Sequence, residues 1–319
     1  MKRLTAVLAM LALAAGVQAQ DYPNRPIRIL QGFAPGGNAD NIARILGAEM
    51  SKGLGQPVVV ESRPGAGGNI AANAVATSPG DGYTLLLAVG GHSVSGALYK
   101  SLPYRSVEDF AWISTATVFP FLISVNAEKG PKSLGDVIQS AKSSSQRVTF
   151  GSAGVGSTQH LIGELLASVS GSNMVHVAYK GDSASLAGLL GGETTFVVAP
   201  ATAVLPLAQG GRLRVLGVTH NVRWKGMPDV PTVEEAGGIS GFDVGSWAGL
   251  AAPAGTPRNI VMRLHGELQN ALQAPEVRSR LENFGGEVRG STPEEMRARI
   301  TREVARWNKV IREANIERR

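Results

Sequence analysis

The chain has 319 residues, of which 43% are hydrophobic and 18% are charged, and it contains no cysteine. This much apolar material excludes intrinsic disorder, and the length favours two domains over one. The lack of cysteine excludes disulfides, a thiol nucleophile and a cysteine-ligated zinc site, and the net charge of +6 does not indicate a nucleic-acid partner because residues 290–319 hold eight basic against five acidic side chains.

The N-terminus has the pattern of a secretory signal peptide. Lys2 and Arg3 precede an apolar run over residues 4–17, and Val17 and Ala19 form a small-residue cleavage site. An apolar run of about 14 residues is shorter than the roughly 20 needed to span a bilayer as a helix. We therefore expect residues 1–19 to be removed on secretion; the alternative is an uncleaved membrane anchor.

Short β-rich segments alternate with helical patterns along the rest of the chain, which predicts an α/β protein with a largely parallel sheet. Apolar residues at helical spacing lie at 42–50 and 161–169. Because the strand segments are continuously apolar, we expect helices on both faces of the sheet. The predicted strands are residues 27–30, 58–61, 84–89, 121–125, 147–150, 175–179, 195–199, 213–219 and 247–251.

Two further helices are predicted near the C-terminus. One opens at Thr256-Pro257. The other opens at Thr292, with Pro293 in its first turn and Glu295 three residues beyond the cap, which is a capping box. The basic side chains of this last helix lie largely off its apolar stripe, so we expect them to face solvent. The sequence contains no evident internal repeat.

Two glycine-rich junctions between a strand and a helix are candidate anion sites. Residues 31–40 follow the first predicted strand, and residues 151–158 follow the strand at 147–150. Glycine lets the backbone approach a ligand, and the N–H groups of a helix's first turn attract an anion. The alternative is that both loops are tight turns and that Ser157 only caps its helix. The side chains that could add donors are those of Asn38, Ser152, Ser157 and Thr158.

Nucleotide and metal chemistry match the sequence poorly. Residues 65–70 and 154–159 lack the last glycine of a dinucleotide-binding loop, and neither segment ends as a phosphate loop does. The five histidines show no close metal-ligand spacing. We therefore expect no nucleotide cofactor and no metal.

A secreted serine hydrolase stays open as an alternative. Residues 91–95 approach the pattern of a nucleophile elbow, although Ser95 replaces its second glycine. The nucleophile would be Ser93 or Ser157, with a histidine such as His160 as the base. A half-buried histidine bonded to a neighbour is the commoner outcome for such a residue.

Several short motifs follow one another along nearly the whole mature chain. They read YPNRPIR at 22–28, FAPGG at 33–37, PGDGYTL at 79–85, GSAGVGS at 151–157, HVAYKG at 176–181, PDVPTVEEAG at 228–237 and APAGTP at 252–257. In this order and coverage, the motifs resemble the Bug family of periplasmic solute receptors, the TctC-type substrate-binding component of tripartite tricarboxylate transporters.

The resemblance implies a two-lobed, type II-like periplasmic-binding-protein fold, with a mostly parallel sheet in each lobe and a hinge between the lobes. Domain 1 would comprise residues 20–121 and 248–319, and domain 2 would comprise residues 122–247. The lobes would close on a small mono- or dicarboxylate with the help of bridging waters. A monomer is the default for such a fold.

By position, the resemblance assigns the ligand to loops of both lobes. Asp40 is ambiguous in this set, because it could cap its helix and order the loop without touching the ligand, and we favour that role. The assigned ligand-binding residues are Phe33, Gly37, Asn38, Ala39, Asp40, Asn69 and His92 in domain 1 and Ser152, Ser157 and Thr158 in domain 2.

One departure from the family pattern follows Gly191-Gly192. Relatives often carry an acid or a phenylalanine-acid pair there, whereas residues 194–201 read TTFVVAPA. Because this segment has no carboxylate to meet an ammonium group, we expect a plain carboxylic acid rather than an amino acid as the ligand.

Together these features predict a non-enzymatic periplasmic receptor. It would capture a small organic carboxylate between its lobes and present it to a membrane permease or a sensor kinase. A periplasmic sensory module, which differs only in its partner, and the serine hydrolase are the alternatives.

Overall fold

The computed structural model describes residues 22–143, 147–283 and 285–319, so the predicted signal peptide at 1–19 lies outside the described residues. The strands are β1 (Ile27–Gln31), β2 (Val58–Ser62), β3 (Thr84–Val89), β4 (Phe110–Asn126), β5 (Val148–Ser152), β6 (Met174–Ala178), β7 (Phe196–Pro200), β8 (Leu213–Val218), β9 (Gly245–Pro253) and β10 (Glu287–Val288).

Helices follow most of these strands in the chain. They are α1 (Asn38–Leu54), α2 (Asn69–Ala76), α3 (Gly91–Leu98), α4 (Leu134–Lys142), α5 (Thr158–Ser170), α6 (Asp182–Gly191), α7 (Ala201–Gln209), α8 (Val233–Gly237), α9 (Arg258–Gln273), α10 (Pro275–Asn283) and α11 (Pro293–Glu313). None of the described helices has both the length and the apolar character that crossing a membrane requires.

The strands form one continuous path in the order β2-β1-β3-β9-β4-β7-β5-β6, with β8 and β10 also paired to β4. The outer strands are parallel, since β1 pairs in parallel with β2 and β3, and β5 does so with β6 and β7. The pairs that involve β4 and β9 are antiparallel. The α/β class is confirmed; the sheet is mixed, because β9 runs against its neighbours β3 and β4, and β4 runs against β7 and β8.

Strand β4 connects two sheets. It begins at Phe110, eleven residues before the strand that the sequence predicted at 121–125. Its residues 110–120 pair with β9, and its residues 121–126 lie between β7 and β8. The first lobe therefore has the order β2-β1-β3-β9-β4, and the second lobe repeats it as β6-β5-β7-β4-β8.

The C-terminal helix α11 covers the first lobe. The predicted capping box is present, because Thr292 Oγ1 accepts from the Glu295 N–H at 3.1 Å and Glu295 Oε2 accepts from the Thr292 N–H at 2.8 Å. Met296, Ile300 and Trp307 are buried on its inner face. Most of its basic side chains are exposed, as predicted; Arg299 is half-buried.

Candidate functional site

The two glycine-rich loops lie at facing ends of the two lobes, and residues of each loop contact residues of the other lobe. The Ala34 N–H of the first loop donates to the carbonyl of Lys180 in the second lobe at 3.2 Å. Gly67, which has a φ of +65°, lies so close to the second loop that a Cβ there would be 2.7 Å from the Val155 carbonyl oxygen. Ser95 Oγ donates to the Gly156 carbonyl at 3.4 Å.

A pocket opens where these loops meet, and both lobes line it. Four of the predicted site residues are among its walls, together with aromatic side chains from both parts of β4. The lining residues are Phe33, Asn38, Ala39, Val89 and Gly91 from the first lobe, Thr158, Gln159, Asp182 and Pro200 from the second, and Phe119, Phe121 and Ser246 from the strands β4 and β9 at the crossings between the lobes.

Helices α1 and α5 begin at this pocket, as do α3 and α6. Asn38 is the first residue of α1, and its N-cap residue Gly37 provides no side-chain hydrogen bond. Thr158 is the first residue of α5, and Ser157 caps that helix by accepting from the His160 N–H at 3.2 Å. Because helix N-termini attract negative charge, this geometry favours an anionic group in the pocket.

Asp40 orders the first loop, the role favoured for it. Its Oδ2 accepts from the Gly36 N–H at 3.0 Å and from Arg44 Nε at 2.8 Å. Burial raises the pKa of Asp40, but the hydrogen bonds from Arg44, Gly36 and Ser62 outweigh this effect and hold the pKa below its usual value. Asp40 does not line the pocket.

The serines of the second loop are also turned toward their own backbone. Ser157 Oγ donates to the Gly154 carbonyl at 2.7 Å. Ser152 is fully buried, lies 2.6 Å from His176 Nε2 and accepts from the Gly154 N–H at 3.1 Å. Neither serine lines the pocket, because each oxygen satisfies a backbone group of the loop instead.

Asn69 and His92 face a neighbouring cavity that shares Phe33 and Val89 with the pocket. Burial lowers the pKa of His92 to about 4, so its ring is neutral and Nε2 donates to the Ser106 carbonyl at 2.8 Å. Asn69 Oδ1 accepts from the Tyr104 hydroxyl at 2.8 Å, whereas its Nδ2 has no partner among the described residues. These two residues therefore lie behind the pocket wall.

The geometry gives no support to the predicted hydrolase dyads. Ser93 is fully buried in α3, and Ser157 Oγ is engaged with the Gly154 carbonyl. The Ser152–His176 pair does have hydrogen-bond geometry, but Ser152 is inaccessible and burial lowers the pKa of His176 to about 3. Within the described ranges, no cluster of three or more His, Asp or Glu side chains could hold a metal ion.

Sequence reasoning missed one charged pocket residue, Asp182. It is the first residue of α6, and its Oδ1 accepts from Gln159 Nε2 at 2.8 Å. It also accepts from the backbone N–H of Asn38 in the other lobe. Burial raises the pKa of Asp182 to about 6, although both hydrogen bonds lower it. The feature of the sequence that could have indicated this residue is an acidic side chain directly after Gly181, at the junction between β6 and α6.

Comparison with known proteins shows relatives that match nearly the whole chain. Protein BugT of Bordetella pertussis is 35% identical over 319 residues, which cover 98% of each chain. The solved structure of the periplasmic binding protein BugD superimposes with a TM-score of 0.89 at 33% identity, covering 93% of this chain and all of the other. The two-lobed fold is therefore that of a periplasmic binding protein.

Two similar structures contain dicarboxylates. MatC from Rhodopseudomonas palustris, with bound malate, has a TM-score of 0.86 at 33% identity and covers 91% of this chain and all of its own. The structure of another R. palustris protein, with adipate, has a TM-score of 0.88 at 33% identity, and the match covers 93% of this chain and 99% of that protein. The sequence model of the tripartite tricarboxylate transporter family receptor, TctC, matches residues 42–316. This chain belongs to the TctC family of receptors, as its sequence motifs indicated.

Proposed function

We propose that this chain is a periplasmic receptor that captures a small organic carboxylic acid between its two lobes and presents it to a membrane permease. The observation that carries the proposal is the pocket lined by both lobes, at which the N-termini of α1 and α5 meet. The malate and adipate in related structures support a carboxylate as the ligand class.

Closure of the lobes is the proposed mechanism. A ligand favours closure only through contacts that the open form lacks, and a ligand whose carboxylate binds at Thr158 of one lobe while the rest of it contacts Asn38 of the other meets that condition. Domain 1 comprises residues 20–121 and 248–319, and domain 2 comprises residues 122–247. The change of partners of β4 between Pro120 and Phe121 supports the first crossing as part of the hinge.

The second crossing lies near the start of β9. The Val244 N–H donates to the Thr219 carbonyl of the second lobe, whereas Gly245 pairs with Pro120 of the first. Two crossings of this kind allow a bending motion without breaking either sheet. The protein acts as a monomer in this proposal, after removal of residues 1–19 on secretion to the periplasm.

Binding rather than catalysis is the proposed activity. Ser157 Oγ donates to the loop backbone and Ser93 is buried, so neither serine is placed to act as a nucleophile. A serine-reactive fluorophosphonate should therefore leave the protein unlabelled, and stoichiometric labelling would favour a hydrolase instead. A pull-down from membranes distinguishes a permease partner from a sensor kinase.

Blocking the pocket provides the test of the binding site. Ala39 lines the pocket in the first turn of α1, and Ala48 is exposed on the same helix. In a thermal-shift screen against carboxylic acids, a ligand that binds only the folded protein raises its melting temperature. Ala39→Met should abolish that shift because its side chain fills the pocket, while Ala48→Met should keep it. An unchanged shift in Ala39→Met would reject this site.

A further inference from the structure

Asp182 is the charged side chain of the pocket. It is only 6% exposed, and the other residues that line the pocket are apolar or neutral. Among the described residues that line the pocket there is no lysine, arginine or histidine, so none of them places a cation beside the negative charge of Asp182. Its hydrogen bonds come from two neutral donors, Gln159 and the backbone of Asn38.

The carboxylate of Asp182 takes the place of a missing helix cap in the other lobe. Gly37, the N-cap residue of α1, has no side chain that could cap the helix, and a Cβ built there would lie 3.9 Å from Asp182 Oδ2. The Asn38 N–H donates to this carboxylate. The N-terminus of α1 thus already holds a negative group, whereas the N-terminus of α5 remains for a ligand carboxylate.

Asp182 still has acceptor capacity for a ligand. An ionised carboxylate offers about four lone-pair positions, of which Gln159 and Asn38 occupy two. An ammonium or hydroxyl group could therefore donate to Asp182. A second carboxylate would instead meet a like charge in a buried place without a cation, which is unfavourable.

We propose that Asp182 determines the ligand specificity of this pocket, so that it selects an acid with one carboxylate and a hydrogen-bond donor facing Asp182 over a dicarboxylate. This inference rests on the proposed function as a carboxylate receptor. Malate and adipate, which two similar structures contain, are both dicarboxylates. An amino acid was not expected as the ligand because residues 194–201 contain no carboxylate to meet its ammonium group. Asp182, at the start of α6, supplies such a carboxylate.

Isothermal titration at pH 7.5 with four-carbon acids tests the proposal. The probes are butyrate, 2-hydroxybutyrate and 2-aminobutyrate, which carry hydrogen, a hydroxyl or an ammonium group on C2, and succinate, which has a second carboxylate in place of the methyl group of butyrate. The wild type should bind the hydroxy or the amino acid at least tenfold more tightly than butyrate and succinate. A preference for 2-aminobutyrate identifies an ammonium as the donor, and one for 2-hydroxybutyrate identifies a hydroxyl.

Substitution of Asp182 assigns the preference to this residue. Asp182→Asn should bind succinate at least tenfold more tightly than the wild type does and lose the advantage of the donor-bearing acid, because the charge is gone while the shape is kept. Asp229→Asn, an exposed aspartate outside the pocket, is the control for the same charge change and should behave as the wild type. Thermal melts of both variants report folding.

The outcomes separate this inference from the function on which it rests. A wild type that prefers succinate, or an Asp182→Asn variant with an unchanged order of affinities, overturns the specificity role and leaves the receptor function standing. If no member of a broad panel of carboxylic acids binds the wild type, both the proposed receptor function and the proposed specificity role are wrong. The wild-type order of affinities is decisive even if Asp182→Asn does not fold.

Discussion

At the scale of single residues, Asp182 shows how burial and hydrogen bonding compete. The carboxylate accepts from Gln159 and Asn38, yet burial dominates and raises its pKa to about 6. A carboxyl group whose pKa is raised in this way destabilises the folded protein most when it is ionised, above that pKa. The ionised carboxylate therefore carries a cost at neutral pH, which a ligand donor that pairs with Asp182 is expected to offset.

His92 carries the opposite dependence on pH. Burial lowers its pKa from 6.5 to about 4, so the neutral ring is the form that the folded protein retains. Its contribution to the free energy of unfolding is present above pH 6.5 and is lost as the pH falls toward 4. We expect a loss of about 2 to 3 kcal/mol from this residue by pH 4.5.

Urea denaturation at pH 7.0, 5.5 and 4.5 measures this loss. In His92→Gln, which cannot titrate, the unfolding free energy should decline less between pH 7.0 and 4.5 than in the wild type. Equal declines in the two proteins would show that His92 is accessible to protons in the folded state.

At the scale of elements, Ser157 is the clearest case of a residue whose local role outweighs the predicted functional one. It caps α5 and donates to Gly154. Ser157→Ala should lower the unfolding free energy by about 1 kcal/mol, because the His160 N–H loses its acceptor. Ser279→Ala, an exposed serine within α10, is the control and should cost little, since alanine favours helices. A neutral Ser157→Ala would contradict the capping role.

Strand β4 shows why the sequence did not predict the full extent of some elements. The predicted strand begins at residue 121, and Ser114, Thr115 and Thr117 interrupt the apolar run before it. These side chains are buried, and Thr117 Oγ1 donates to the Glu287 carbonyl at 2.9 Å. Its partner β10 has two residues, too few for any pattern. Both elements depend on pairing partners far away in the chain.

At the scale of the whole molecule, the proposed closure brings the two loops together. Gly67 contacts the second loop so closely that a Cβ would clash with the Val155 carbonyl oxygen, while Gly55 has a similar φ of +67° and open space around it. Gly67→Ala and Gly55→Ala therefore share a backbone strain of about 1 to 2 kcal/mol, and only the first hinders contact between the lobes.

Small-angle scattering with a saturating acid found in the thermal screen measures this difference. The radius of gyration of the wild type and of Gly55→Ala should fall on binding. Gly67→Ala should show a smaller fall and an affinity weaker by roughly tenfold, since 1.4 kcal/mol corresponds to that factor. If Gly67→Ala closes as fully as the wild type, the loop contact does not limit closure.

The two lobes also share a strand order that the sequence did not reveal. The order β2-β1-β3-β9-β4 reappears as β6-β5-β7-β4-β8, although no internal repeat is evident in the residues. The loops at 31–40 and 151–158 occupy equivalent junctions, after β1 and after β5. This equivalence explains why two similar glycine-rich segments face one pocket.

The sequence by itself determined the α/β class, most strands, the capping boxes, the family and the two loops, because apolar periodicity, glycines and caps act between near neighbours in the chain. Tertiary structure alone decided which loop residues face the pocket. Thr158 lines it whereas Ser152 and Ser157 bond to their own loop, and Asp182 reaches Asn38 from the other lobe. Such choices depend on contacts between distant segments, which pack together only when both lobes have folded.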